Sequence, residues 1–216
     1  REIKSLESSS EEDLHISLPL NKAVNVLDGD GDGRYIIESN DEFLDETGVY
    51  KIIRANDDFL RPHMVSSSKY DITMGSNNSC TTLQYNINYR NYYLVTEGEI
   101  KLKLAPPRSG KYLYEVQDYE NMEFKSPINP WNIQSEYSDN FNKVKFLELT
   151  LTKGMLLHIP AYWWYSICYS KKSTICSLTY RTFMNTVAIF PKLVHGFLQK
   201  QNVKRQTAPT FHIEEN

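Results

Sequence analysis

From Ile100 to Leu104 the chain alternates Ile100, Leu102 and Leu104 with Lys101 and Lys103, and a period of two puts the apolar side chains on one face of a strand and the lysines on the other. Runs rich in β-branched and aromatic residues predict further strands over Tyr70 to Met74, Thr81 to Tyr89, Tyr92 to Thr96, Val144 to Leu151, Met155 to Ile159, Trp163 to Tyr169 and Thr174 to Thr182. The breaks between these runs carry turn chemistry. Gly98, between Glu97 and Glu99, sets a hairpin, Lys153-Gly154 and Lys171-Lys172-Ser173 set two more turns, and Pro106-Pro107 stops pairing because proline brings no N–H to a ladder. After Thr182 the apolar spacing changes to that of a helix: Val187, Phe190, Leu193, Val194, Phe197 and Leu198 share roughly one side of a segment predicted over Phe183 to Val203, with a break expected at Pro191.

The first third is less regular. Residues 1–17 are acidic and serine-rich with little periodicity, which predicts a flexible lead-in that orders only against a partner. Short apolar runs follow at Val24 to Leu27, Tyr35 to Ile37 and Val49 to Ile53, parted by acidic turns, with a helical turn or two over Asp41 to Glu46. Residues 108–142 mix Tyr, Asp, Asn and Pro around Trp131, and so long a stretch without periodicity is expected to be a functional or interacting loop. Together the elements predict a mainly β fold in one domain over 18–205, centred on 60–190, with a tail at 206–216.

Composition removes several classes of function. A chain of 216 residues with a net charge of -3 offers enough length for one well-buried domain but no basic surface for nucleic acid. No run approaches the ~20 apolar residues of a membrane span. The chain opens on Arg1, so any membrane attachment is expected in a segment outside it. Cys80, Cys168 and Cys176 show neither paired spacing nor an even count, which predicts reduced, mostly buried thiols, although Cys168 and Cys176 lie on neighbouring predicted strands and could approach one another.

Asp28-Gly29-Asp30-Gly31-Asp32-Gly33 matches the first half of a calcium loop, with carboxylates at alternate positions around a sharp glycine turn. The twelfth position, where a bidentate Glu belongs, is Ser39, and Glu38 falls one residue early. A polar hairpin turn is the simpler expectation, with Asp28, Asp30, Asp32 and Glu38 kept as a weak calcium candidate. The five histidines, His15, His63, His158, His195 and His212, are scattered, and a lone histidine on a strand is expected to be structural. No Gly-x-Ser-x-Gly elbow and no Cys-His motif points to nucleophilic catalysis. Lys200, Lys204 and Arg205 fit a solvated helix C-terminus, where they favour the dipole.

One stretch is more specific. Gly154, Ile159, Pro160, Trp163 and Trp164, together with Asn91, Gly98 and Pro106-Pro107, fall in the order and spacing of the cupin-like branch of the Jumonji-C hydroxylases, which the chain resembles over residues 60–190. The wording Arg90-Asn91-Tyr92-Tyr93, Leu104-Ala105-Pro106-Pro107, Ser126-Pro127-Ile128-Asn129-Pro130-Trp131-Asn132 and Tyr162-Trp163-Trp164-Tyr165-Ser166-Ile167 is similar to uncharacterised cupin-like proteins of giant DNA viruses, some with a hydrophobic anchor ahead of the domain. The resemblance implies a double-stranded β-helix, or jelly roll, with peripheral helices and a C-terminal helical segment.

Active members of that family hold Fe(II) with a His-x-Asp and a later His, leaving open positions for 2-oxoglutarate and oxygen. The later histidine corresponds here to Tyr165. The His-x-Asp corresponds to Gln84 and Asn86 with one gap, or to Tyr85 and Ile87 without one, and the lysine that pairs with 2-oxoglutarate corresponds to Ile100. Neutral Gln, Asn and Tyr lack the charge and nitrogen donors that hold iron against water, so no iron, no 2-oxoglutarate and no catalysis are expected. What the resemblance then implies is a vestigial pocket lined by Gln84, Asn86, Asn91, Trp164 and Tyr165, and a structural role among other protein chains, capsid or membrane-associated, in a virus particle or in host cytoplasm during assembly. The alternatives are a hydroxylase with unorthodox ligands and a module that binds a peptide or small ligand in the old pocket. Trp163 and Trp164 are expected on opposite faces of one strand.

Overall fold

In a computed structural model, which describes residues 2–5, 14–119 and 121–202, thirteen strands form two antiparallel sheets facing one another. The strands are β1 Glu2–Ser5, β2 Leu14–Ser17, β3 Tyr35–Glu38, β4 Val65–Gly75, β5 Gln84–Tyr85, β6 Arg90–Glu97, β7 Glu99–Ala105, β8 Val116–Asp118, β9 Glu123–Lys125, β10 Leu147–Thr152, β11 Leu156–Pro160, β12 Trp164–Tyr169 and β13 Ser173–Thr182. One sheet has the order β11-β6-β13-β4-β3-β1-β2 and the other β10-β7-β12-β5-β9-β8. From β4 to β7, and again from β10 to β13, successive strands switch sheets, as in a jelly roll. The expected hairpin at Gly98 is instead a crossing between sheets: with φ 82° it turns β6 of the larger sheet into β7 of the smaller one, and an added Cβ there would strike the Ser173 hydroxyl.

Alternation along the strands sorts the core. Between the sheets lie Tyr93 and Val95 of β6, Ile100, Leu102 and Leu104 of β7, and Tyr165, Ile167 and Tyr169 of β12, with Trp163 packed against them. The other parity of β7 and β12, Ala105 and Trp164, turns into a second cluster with Leu83, Tyr85, Phe124, Phe141 and Ile189. The two tryptophans therefore diverge, as the pleat requires. A third cluster covers the outer face of the larger sheet under α2 (Asp41–Glu46) and α3 (Val49–Asn56).

Several expectations need correction. Val24 to Leu27 is not an isolated run but part of helix α1, Leu20–Gly29, because Ala23 and Leu27, one turn apart, bury against Ile37 and override the β preference of valine. Val49 to Ile53 is likewise helical, in α3. Of the strand expected over Thr81 to Tyr89, only Gln84–Tyr85 pairs as a strand; on either side the backbone turns to other partners, Leu83 to Ile128 and Ser126, and Asn86 to Tyr162. The lead-in contributes β1, set beside β3, and β2 at the sheet edge; residues 6–13 and the tail at 206–216 lie outside the described residues. The expected loop at 108–142 contains β8, β9 and a short helix α4, Ser138–Phe141. Trp131 is clamped onto the smaller sheet, donating its ring N–H to Ser166 at 2.7 Å beneath the Lys103 ammonium. Helix α5 runs unbroken from Phe183 to Asn202 through Pro191. The proline lies on an exposed side of the helix, where water can take up the Val187 carbonyl that it leaves without an intrahelical donor. Finally, Cys80 meets Cys168 across an isolated antiparallel bridge and the two form a disulfide; Cys176 is the free, buried thiol.

Candidate functional site

Pairing of β12 with β5 sets Tyr165 directly opposite Gln84, and the chain turns away after Asn86. This brings Gln84, Asn86 and Tyr165 together. Asn86 Nδ2 donates to the hydroxyls of Tyr93 at 2.9 Å and Tyr165 at 3.2 Å, and the Tyr93 hydroxyl donates to Tyr165 at 2.9 Å. Both tyrosines are buried, with ring centroids 5.4 Å apart. Burial pushes the Tyr93 phenol well above its ordinary value; it also raises Tyr165, against the lowering effect of hydrogen bonds with Tyr93, Asn86 and Gln84. Both are neutral phenols at any physiological pH.

The ungapped pair goes the other way. Tyr85 and Ile87 belong to the second cluster, and the Tyr85 hydroxyl bonds to Glu115; burial, and then this carboxylate, pushes that phenol far up. Ile100 is buried between the sheets. Two expected pocket residues do not line a pocket. Trp164 is on the face of β12 opposite Tyr165, sealed in the second cluster, while Asn91 is buried and its amide holds the Asn88 and Ile159 carbonyls at 3.2 and 3.3 Å. Sequence reasoning missed Tyr93, although its place in the alternation Asn91, Tyr93, Val95 was the available signal.

These residues do not fit Fe(II). The polar atoms at the Tyr165 slot are neutral amide and phenol groups already bonded to one another, and neither a histidine nor a carboxylate joins them. Among the described residues, no group of three or more His, Cys, Asp and Glu side chains stands close enough to hold a metal.

The calcium candidate separates in the same way. Asp30 is a loop staple whose carboxylate accepts from the backbone of Asp32, Arg34 and Tyr35 and from the Ser76 hydroxyl at 2.6 Å. Although burial works to raise it, these bonds hold the Asp30 carboxyl below its ordinary value. Asp28 pairs with Lys172, Asp32 with Arg34 at 2.5 Å, and Glu38 ends β3 at the side away from the loop. The carboxylates do not converge. His158 packs on Tyr92 with centroids 5.0 Å apart, and burial, with help from Arg90, lowers its pKa. An open cleft of about 520 Å³ lies there, on the outer face of the larger sheet, between Tyr89, Arg90, Tyr92, His158 and Pro160. His195 stacks on Tyr119. His212 lies outside the described residues.

Another buried polar group lies away from this site, on the outer face of the larger sheet. Asp57, 1% exposed, accepts from Arg61 at 2.9 Å and from the hydroxyls of Tyr180 at 2.8 Å and Tyr70. It ties the middle of β4 and the end of β13 to the loop after α3, and is structural.

No curated protein matches the chain. Among solved structures, a cupin superfamily protein from Desulfitobacterium hafniense aligns at 10% identity over 54% of this chain and 69% of its own, with a TM-score of 0.31. The family model for a cupin-like domain matches residues 18–185, which takes in the body of the sandwich, the Tyr165 slot and the start of α5. The chain belongs to the cupin-like domain family.

Proposed function

We propose that this cupin-like domain has given up iron and 2-oxoglutarate chemistry and works through its surface, as a structural, protein-binding component of an assembly. The observation that supports this reading is the Asn86–Tyr93–Tyr165 network: the position where an active relative would hold metal is filled with uncharged side chains bonded to each other. Rebuilding an iron site there requires breaking three buried hydrogen bonds as well as supplying ligands. The assembly we have in mind is a virus particle, on the resemblance of the Tyr162 to Ile167 and Ser126 to Asn132 segments to giant-virus proteins. The Cys80–Cys168 bond favours the particle over host cytoplasm, because disulfides persist on virion and cell surfaces and are reduced in the cytosol.

Two measurements test the reading. Anaerobic titration of the purified protein with Fe(II) and 2-oxoglutarate, followed by calorimetry and elemental analysis, is expected to give no saturable binding. Stoichiometric iron, with 2-oxoglutarate converted to succinate and CO2 once oxygen is admitted, would reinstate the hydroxylase alternative. Quantitative mass spectrometry of purified particles is expected to recover the chain at structural abundance, and its absence from particles would remove the assembly role.

A further inference from the structure

Arg90 and Tyr92 stand on the face of β6 that points away from the core, and the β6–β11 ladder sets them opposite Pro160 and His158. Arg90 and His158 are therefore diagonal neighbours on one face, within reach of each other's side chains. Because β11 is the edge strand of the larger sheet, the face is open on that side. The cleft these residues line, about 520 Å³, falls in the range of small-molecule sites, roughly 300–1,000 Å³, and is larger than a lone ion needs. Tyr92, 9% exposed, is its floor, and Tyr89, 47% exposed, with Pro160 and Ala161 its walls.

Arg90 is held in this cleft without being neutralised. Its Nη1 donates to the Tyr92 hydroxyl at 3.1 Å and its guanidinium carbon lies 5.5 Å from the Tyr89 ring centroid, yet among the described residues no carboxylate pairs with it, whereas Arg34 and Arg61 each have an aspartate. Part of its five-donor fork is left for an acceptor from outside. His158 supplies a second donor from the neighbouring strand. The charged and titratable groups that face it are Arg90, Tyr92 and Tyr89, while its outward neighbours on β11, Leu156 and Pro160, are apolar. Burial and then the Arg90 charge hold the imidazole below its ordinary value, so an anion set between the two would favour its protonation.

We infer that this cleft binds a phosphate monoester of a small molecule that carries a flat ring, with the phosphate between Arg90 and His158 and the ring on Tyr89. A phosphate offers three oxygens to donors arriving from two strands, whereas both oxygens of a carboxylate are used up by one bidentate arginine. The open Tyr89 face beside Pro160 gives the ring an apolar surface to lie on. The site is on the opposite side of β6 from Tyr93 and the Tyr165 slot, so it goes beyond the protein-binding reading and does not rest on it. A ligand bound here without iron leaves that reading intact, and iron uptake leaves this one intact.

The test is calorimetric titration of the full chain, in buffer free of phosphate, with phenyl phosphate, adenosine 5′-monophosphate and inorganic phosphate. The two esters set the ring directly on the phosphate or a sugar away from it, and the tighter of them defines the ligand. At least one ester is expected to saturate the protein and to bind more tightly than inorganic phosphate. Arg90→Gln should weaken the tighter ester about tenfold or more, and His158→Gln should weaken it in the same direction. Tyr89→Ala should weaken the ester about threefold or more and leave inorganic phosphate unchanged. Because phosphate monoesters themselves titrate near pH 6, the pH dependence is read on the His158 ring resonance: its midpoint should rise by about one unit when the cleft is saturated. Tyr89 and His158 are exposed, so their variants keep the test decisive should Arg90→Gln fail to fold. No saturable binding up to roughly 10 mM overturns the proposal, as does binding that leaves the His158 midpoint where it was. If inorganic phosphate binds as tightly as either ester and Tyr89→Ala changes nothing, the cleft holds an adventitious ion only, and the proposal falls.

Discussion

Asp57 and Tyr165 show how single side chains hold this fold. Asp57 is enclosed by three donors, and Asp57→Ala would leave the Arg61 charge and two buried hydroxyls without their acceptor. Removing one partner of a buried pair costs about 3–5 kcal/mol, which urea unfolding would show as a lower midpoint at unchanged slope. The pH dependence has a definite sign. Burial works to raise the Asp57 carboxyl, but donation from Tyr70, Arg61 and Tyr180 outweighs it and the net shift is downward. A depressed carboxyl adds stability that is present above its unfolded value and lost as pH falls through the folded one, so acid unfolding should set in below about pH 4. Asp30 acts in the same direction, while Asp71, raised by burial, opposes folding at neutral pH and is relieved by protonation. In Asp57→Ala the acid slope should be shallower. At the other site, Tyr165→Phe removes the acceptor for Asn86 and Tyr93. It is expected to cost about 1–3 kcal/mol in thermal unfolding without creating metal affinity. Tyr165 was legible in the sequence because it stands in a spaced motif. Tyr93 was legible only as one position in the alternation of its strand and Asp57 not at all, since the role of each is defined by partners that only the fold brings near, 72 residues away for the Tyr93–Tyr165 bond and 123 for Tyr180–Asp57.

At the level of elements, period-two strands with one wet face were readable to within a residue or two in β7, β11 and β13, while β10 starts at Leu147, three residues after the expected Val144. The misses share a cause. Val24 to Leu27 and Val49 to Ile53 have strand composition, but each is placed by a helical face that finds cover, against Ile37 in one case and Tyr70 and Tyr180 in the other. Thr81 to Tyr89 has strand composition too, yet most of its backbone is claimed by the 126–128 loop and Tyr162. The cysteines misled because pairing between residues 88 apart leaves no local trace in the sequence. A bond closing a loop of that length stabilises by about 4 kcal/mol through the unfolded chain. Non-reducing mass spectrometry of the native protein is therefore expected to find one thiol, Cys176, reacting only after unfolding, because burial pushes it up to about 11. Reduction should lower the melting temperature, and Cys80→Ser with Cys168→Ser should match the reduced protein.

For the molecule as a whole, the arrangement is a sandwich whose interior is closed and whose outer surfaces carry the unusual chemistry. The second cluster joins β5, β9, β12, residues 107–146 and α5, so the C-terminal helix is an outer wall of the smaller sheet, not an appendage. What fixes that wall is Lys192, held over Tyr85, Phe124 and Tyr162. Its ammonium is lowered by burial, an effect that the Glu115 charge opposes. Glu115 in turn accepts from Tyr85 and Gln117, so cation, rings and carboxylate form one unit between the helix and the sheet. Lys192→Met keeps most of the apolar stem and removes the charge, and the lost cation–π attraction is expected to cost about 1–2 kcal/mol. The loss should be local: amide exchange should accelerate across Ile189 to Gly196 while the strands of the larger sheet keep their protection. If exchange in α5 stays slow in the variant, the aromatic unit is not what holds the helix, and Ile189 and Leu193 suffice to hold it.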